Sequence, residues 1–305
     1  MLVTSKKRNP LSPLVISLLA MLGLLPQCSI AIDIAVANRP HTHNDKRFDY
    51  SYRLLELALN VTQESYGPYL LKRSDLTMFR DRQFKEIKEG RLLNVMVSPP
   101  KPGGTGKALR VKFPIQKGIG SIRLFFVLED NVDLLSKVET IEDLRQFTIG
   151  ANDQWSTTVA LRNDKFNVVA GESYLYLFQM LQARRFQLFP RGLNEIYTEH
   201  KNFKNNIPNL TIDEHIAIVS YLPSYFYVSP TAPRLAERLE TGLKILFENG
   251  ALDAIFNEFY GGVIKKAQLD KRRVLYMTNT SIGPEMLAFD RRFILKELNE
   301  IQTNP

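Results

Sequence analysis

Two periodicities alternate along this chain, and the switches between them mark out its elements. Ile32 to Ala37 is a short apolar run that predicts a strand. Leu54, Ala58 and Val61 then share one helical face, predicting a helix over Tyr52 to Tyr66 that Gly67-Pro68 stops. Tyr69 to Lys72 reads as extended, Phe79 to Glu89 as a charged helix ended by Gly90, and Leu92 to Val97 as a strand before Pro99-Pro100. The alternation starts again with strands at Arg123 to Leu128, Phe147 to Ala151, Phe166 to Val169, Phe186 to Phe189 and Ile216 to Tyr221. Between them lie helices from Ser156 onward, over Glu172 to Ala183 with Leu175, Phe178 and Leu181 inward, and over Leu193 to Lys201. Thr140 and Asp143 have the spacing of an N-cap and its third-position acid. A helical tail closes the pattern. Leu235, Leu239, Leu243 and Leu246 form one face before Asn249-Gly250, and Leu252, Ile255, Phe256 and Phe259 form the next before Gly261-Gly262.

Short strands alternating with helices predict an α/β fold. Two successive α/β units followed by a helical tail fit a chain that crosses twice between two lobes, near 122–128 and 216–228. The expected divisions are 1–31 as a leader, 32–124 plus 226–305 as one discontinuous lobe, and 125–225 as the other. The leader is read from Lys6, Lys7 and Arg8, an uncharged apolar run from Leu14 to Leu25, and Ser29-Ile30-Ala31. Basic, apolar and small residues in that order are a secretory signal, too short to span a bilayer. Cys28 raises lipid attachment as the rival, against Pro26-Gln27 before it. Beyond the leader, Ile122 to Leu128 is the most apolar run, and Arg123 interrupts it.

Cleavage after Ala31 removes the only Cys, so about 274 residues must be held by their core in an oxidising compartment, which suits a bacterial periplasm. The formal charge is +8, of which the leader carries three cations. Basic residues are interspersed with acidic ones, and no nucleic-acid motif is present. The Gly-rich stretch Pro102 to Gly106 lacks Walker spacing, and Lys107 has no Ser or Thr after it.

Candidate chemistry gathers after the predicted strands. Asn152 to Thr158 follows one of them. Trp155 offers a stacking surface, while Ser156 and Thr157 offer hydroxyls beside helix N–H groups that would hold a carboxylate or phosphate. The competing reading makes Ser156 an N-cap and Trp155 a packing residue. Arg191 follows another strand, placed either to grip a carboxylate or to pair with Glu195 or Glu199. Ser98 lies at a predicted cleft edge. The loop with Arg39, His41, His43, Asn44 and Asp45 adds a cation and a His-x-His pair, which lacks the third ligand a metal site needs. Tyr221, Tyr225, Phe226 and Tyr227 lie near the second crossing, facing the cleft or packing the core. No nucleophile elbow, metalloprotease helix or catalytic Cys is present.

The order of Phe113-Pro114-Ile115 to Leu128, Thr140 to Gly150, Phe189-Pro190-Arg191-Gly192 with Glu195, and Leu235 to Gly262 resembles the periplasmic solute-binding proteins of the amino-acid-binding type. Tyr66-Gly67-Pro68-Tyr69, the Trp155 region and Arg185-Phe186 resemble a poorly characterised subgroup of them. The resemblance implies a two-lobed type II fold, each lobe a mixed sheet flanked by helices, joined by a two-strand hinge. It implies a monomer that binds a small polar, anionic solute, amino-acid-like or carboxylate, for a membrane transporter or a sensor, without a cofactor. The alternatives are a periplasmic dehydratase or lyase of a small carboxylic acid, with Glu172 or Glu195 as acid or base, and an interaction protein that no longer binds a ligand. Such receptors pair the ligand carboxylate with an Arg before an aromatic-Ser-x-Pro-Tyr segment. Here Arg110 precedes Phe113-Pro114-Ile115 at shortened spacing, without the Ser or Tyr.

Overall fold

A computed structural model describes residues 32–40, 46–100, 106–280 and 282–298. The leader, His41, His43, Asn44 and Asp45, and most of the Gly-rich stretch lie outside them. The first sheet has the order β2 (Tyr69–Arg73), β1 (Asp33–Ala37), β3 (Val95–Ser98), β11 (Tyr225–Val228) and β4 (Leu109–Arg110). β1 runs parallel to both β2 and β3, and β11 runs antiparallel to β3 and β4. The second sheet has the order β12 (Arg273–Tyr276), β10 (Ile216–Val219), β5 (Ile122–Leu128) and β8 (Phe189–Gly192), with β9 (Leu210–Ile212) also on β5. β6 (Thr148–Asn152) and β7 (Asn167–Gly171) form a parallel pair that meets the end of the second sheet through an Ile149–Leu188 bridge.

All seven residues of β5 are buried, because cores cover both of its faces. Leu124 and Phe126 belong to a large cluster that continues into the first sheet, whereas Phe125 and Val127 pack on Ile149, Leu161 and Ile218. Between the strands lie α1 (Asp49–Val61), α2 (Arg80–Ile87), α3 (Ser156–Asn163), α4 (Tyr174–Gln182), α5 (Ile196–Phe203), α6 (Pro233–Glu248), α7 (Ala251–Ala267) and α8 (Pro284–Asp290). α1 and α6 touch closely: a Cβ on Gly242 would stand 2.3 Å from the carbonyl oxygen of Ala58, so only glycine permits that approach.

Local signals set several boundaries as expected. Thr140 and Asp143 form a reciprocal capping box on the turn Ile141–Leu144. α6 stops at Asn249-Gly250, where Gly250 takes φ +79°. Other expectations fail for tertiary reasons. Gly261-Gly262 does not end α7, which continues to Ala267; Tyr260 and Ala267 are buried on either side of the pair and offset its low propensity. The strand expected at Phe186 to Phe189 lies at Phe189–Gly192, because the Phe186 ring sits over Gly150 at a corner. Leu175 is exposed, and Leu177 takes the inward position beside Phe178 and Leu181. The C-terminal part is not wholly helical, since β12 returns to the second sheet beside β10. The chain therefore passes between the two sheets three times: from β4 to β5, from β10 to β11, and from α7 to β12.

Candidate functional site

In the first sheet β1 lies between β2 and β3, so the connections after β1 and β3 leave in different directions and open a crevice at the strand ends. That crevice, open to solvent, has a cavity volume of only about 30 Å³ and is lined by Asn38, Ser51, Tyr52, Arg73 and Gln83 over an apolar base that includes Leu55, Val97 and Phe226. Arg73 stacks on Tyr52 with its guanidinium 3.5 Å from the ring centroid and donates to the Asn38 carbonyl at 3.0 Å. Burial lowers the Arg73 pKa, with Tyr52 and Asp49 opposing. Ser51 is 3% exposed, and its hydroxyl has no hydrogen-bond partner. A buried hydroxyl left unpaired in this way is an open polar contact.

Arg80, the first residue of α2, ties this wall to the second one. Its Nε donates to Ser98 Oγ at 2.9 Å, and one terminal nitrogen donates to the Pro99 carbonyl at 3.2 Å and to Ser156 Oγ at 3.0 Å. The other terminal nitrogen donates to the Gln154 carbonyl at 3.2 Å. Ser156 Oγ in turn donates to the Pro100 carbonyl at 3.0 Å. All of these acceptors are neutral oxygens. Arg80 makes no ion pair among the described residues, and burial lowers its pKa against the opposing charge of Asp81.

The second wall is built around Arg191 at the end of β8. It is 3% exposed and makes a two-pronged pair with Glu199, Nε to Oε2 and a terminal nitrogen to Oε1, both at 2.7 Å. A third contact reaches Glu195 Oε2 at 2.9 Å. Trp155 lies with its ring 4.4 Å from the guanidinium and stacks parallel to Phe189. Tyr174 donates to Glu199 Oε1 at 2.9 Å. Burial alone would lower the Arg191 pKa, but Glu195 and Glu199 outweigh it and hold the value above the ordinary one. Burial also raises Glu199, against the pull of Arg191.

The sequence-predicted residues therefore fall into two groups. Ser98 and Ser156 meet through Arg80, with Thr157 one residue further along the first turn of α3, and Trp155 connects that point to Arg191. Arg191 pairs with both of the acids that its bracing reading named. Two others stand apart. Arg39 is exposed and braces the loop after β2, donating to the Asp75 carbonyl at 2.8 Å. Arg110 lies over the Tyr225 ring at 4.9 Å and contacts Met286 Sδ, under the C-terminal helix α8. Tyr225 and Tyr221 both donate to Asp290 Oδ2, so these two aromatics brace the crossing. No group of three or more His, Cys, Asp or Glu able to hold a metal ion occurs among the described residues. Sequence reasoning passes over Arg80, although a cation on the first turn of a helix, against its dipole, is itself a signal of a tertiary role.

The sequence matches no protein-family model and no curated protein, so its likenesses are structural. A protein solved in a study of glutathione import by Streptococcus mutans aligns with TM-score 0.54 and 13% identity, covering 76% of this chain and 96% of that one. A Salmonella typhimurium periplasmic binding protein described for high arginine specificity gives 0.51 and 11% identity, covering 75% and 99%. A histidine kinase sensor domain similar to periplasmic binding proteins gives 0.51 and 14%, covering 75% and 96%. The chain has the two-lobed α/β fold of the periplasmic binding proteins.

Proposed function

We propose that this protein binds a small polar anion, of the carboxylate type, between its two lobes and presents it to a membrane transporter or a sensor. The lobes are taken as 32–124 plus 226–305 and 125–225, with β12 lent to the second sheet. The observation that carries the reading is Arg80, a largely buried guanidinium bridging both walls through neutral oxygens, without a carboxylate partner among the described residues. A buried cation is stabilised best by an anion, and an arriving carboxylate would take charge-assisted bonds in place of neutral ones. Ser156 and Thr157 add the first turn of α3, whose amide donors favour the same charge.

Lobe closure follows from these contacts. A solute that touches Ser98 and Ser156 together is held fully only when the walls meet, so it shifts the population toward the closed form. The arginine-specific protein shares this fold, but Arg73 and Arg80, neither of which has an ion pair among the described residues, disfavour a guanidinium ligand here. The signal-like leader supports delivery to the periplasm, and no helix among the described residues is long and apolar enough to cross a membrane. Native mass spectrometry of the protein purified from cells tests the reading, followed by thermal melting against amino acids, dicarboxylates, sugars and metals. A co-purifying acid, or a melting rise that Arg80→Ala removes, is expected. A sugar or a metal as the sole binder would contradict it.

A further inference from the structure

Arg123 is the second residue of β5, and it is 7% exposed. Its guanidinium makes no hydrogen bond and no ion pair within 4 Å among the described residues, and its nitrogens are not fully buried but reach solvent. A guanidinium buried to this degree normally has acceptors for its five donors. Its place in the fold is informative. β5 runs antiparallel to β8, so its first residues lie beside the last residues of β8, and Arg123 is registered against Gly192. β6 meets β8 in the parallel sense through Ile149 and Leu188, and the loop after β6 carries Trp155 and leads into Ser156 at the start of α3. Arg123 thus stands at the end of the second sheet that faces the first lobe, one register step from Arg191 and on the opposite face of the strand pair, since Arg191 is registered against Leu124.

The neighbouring acids are already engaged. Glu195 Oε1 accepts from the Gly192 amide at 3.1 Å, Glu195 Oε2 pairs with Arg191 at 2.9 Å, and both Glu199 oxygens serve Arg191 and Tyr174. Glu195 and Glu199 act on Arg123 only through space, and burial brings its pKa down to about 10, so it stays charged at neutral pH. Three cationic side chains therefore lie on this side of the fold without an ion pair among the described residues: Arg73 in the first-lobe crevice, Arg80 at the meeting of the walls and Arg123 on the hinge strand, where its register with Gly192 sets it beside the Arg191 cluster.

We infer that Arg123 takes a second acidic group of the solute, and that the ligand class is a small diacid. This rests on the solute-binding reading and sharpens it. The solute would place one carboxylate against Arg80 and the start of α3, and the other against Arg123, supplying the acceptors that the fold withholds.

Calorimetric titration with succinate and with propionate tests the inference, on the wild type, Arg123→Lys and Arg123→Met, together with melting of each protein without solute. Succinate should bind the wild type at least 10-fold more tightly than propionate. Arg123→Met should weaken succinate about 10- to 100-fold, the worth of a charged hydrogen-bond pair. It should melt no lower than the wild type, because the guanidinium it removes has no protein acceptor to leave unpaired. Arg123→Lys, which keeps the charge but not the fork, should fall between them and guards against a misfolded Met variant. Equal binding of propionate and succinate, binding of neither, or a large loss of melting temperature with succinate affinity retained would overturn the inference. A co-purifying solute with a single acidic group would sink it too, while leaving the solute-binding reading intact.

Discussion

Arg238 and Arg123 are both buried guanidiniums, and their surroundings could hardly differ more. Arg238, in α6, is fully buried, and all three of its nitrogens are engaged. Nε donates to Thr62 Oγ1 at 2.9 Å, one terminal nitrogen to Asp33 Oδ2 at 2.8 Å, and the other to the Leu59 and Gly67 carbonyls at 3.0 and 2.8 Å. It closes the last turn of α1, whose carbonyls would otherwise lack donors. Arg123 has none of this. The fold thus satisfies a buried cation completely where the cation is structural. The contrast gives the open one at the hinge strand its meaning: its partner comes from outside the chain.

The largest effect expected from breaking this contrast is on the satisfied side. Arg238→Met takes a buried partner from Asp33 and a charged donor from two carbonyls, and should cost about 3–5 kcal/mol, read by urea unfolding. Glu199→Gln comes next. It weakens the two-pronged hold on Arg191 while Glu195 remains, for a loss of about 2 kcal/mol, and it should shift the emission of the only tryptophan, Trp155. The third effect is a pH dependence. Burial raises the Asp290 carboxyl above its ordinary 3.8, against the hydrogen bonds from Tyr221 and Tyr225. Folding then favours the protonated form. Its contribution is complete below 3.8 and is lost as pH rises through the raised value, at no more than about 1.4 kcal/mol for each pH unit separating the two. Asp290→Asn keeps an oxygen for both phenols and should flatten that slope in melting curves taken across the window. Arg80→Ala should change stability least, by about 1 kcal/mol, because its partners are neutral and the lobes keep their own cores.

Legibility in the sequence divides along similar lines. Elements with strong local chemistry stand out there: the Thr140–Asp143 cap, the stop at Asn249-Gly250, and the apolar β5. Elements held by pairing alone do not. β4, β9 and β12 are two to four residues long and carry too little pattern to be seen. At the site, Ser98 and Ser156 are readable from their places after a strand and at a helix start. Arg80 is not, since its partners lie 18 and 76 residues away in sequence. Arg123 shows in the sequence only as an interruption of an apolar run, because no spacing rule says whether a buried cation will find an acceptor.

Trp155 lies between the Arg80 contacts and Arg191, so titrating its fluorescence with succinate tests the central claim most directly. A saturable, single-site change that Arg80→Ala and Arg123→Met each weaken is the predicted result. An unchanged spectrum at saturating succinate, in protein that native mass spectrometry shows to be carrying that acid, would place the solute elsewhere and contradict the account.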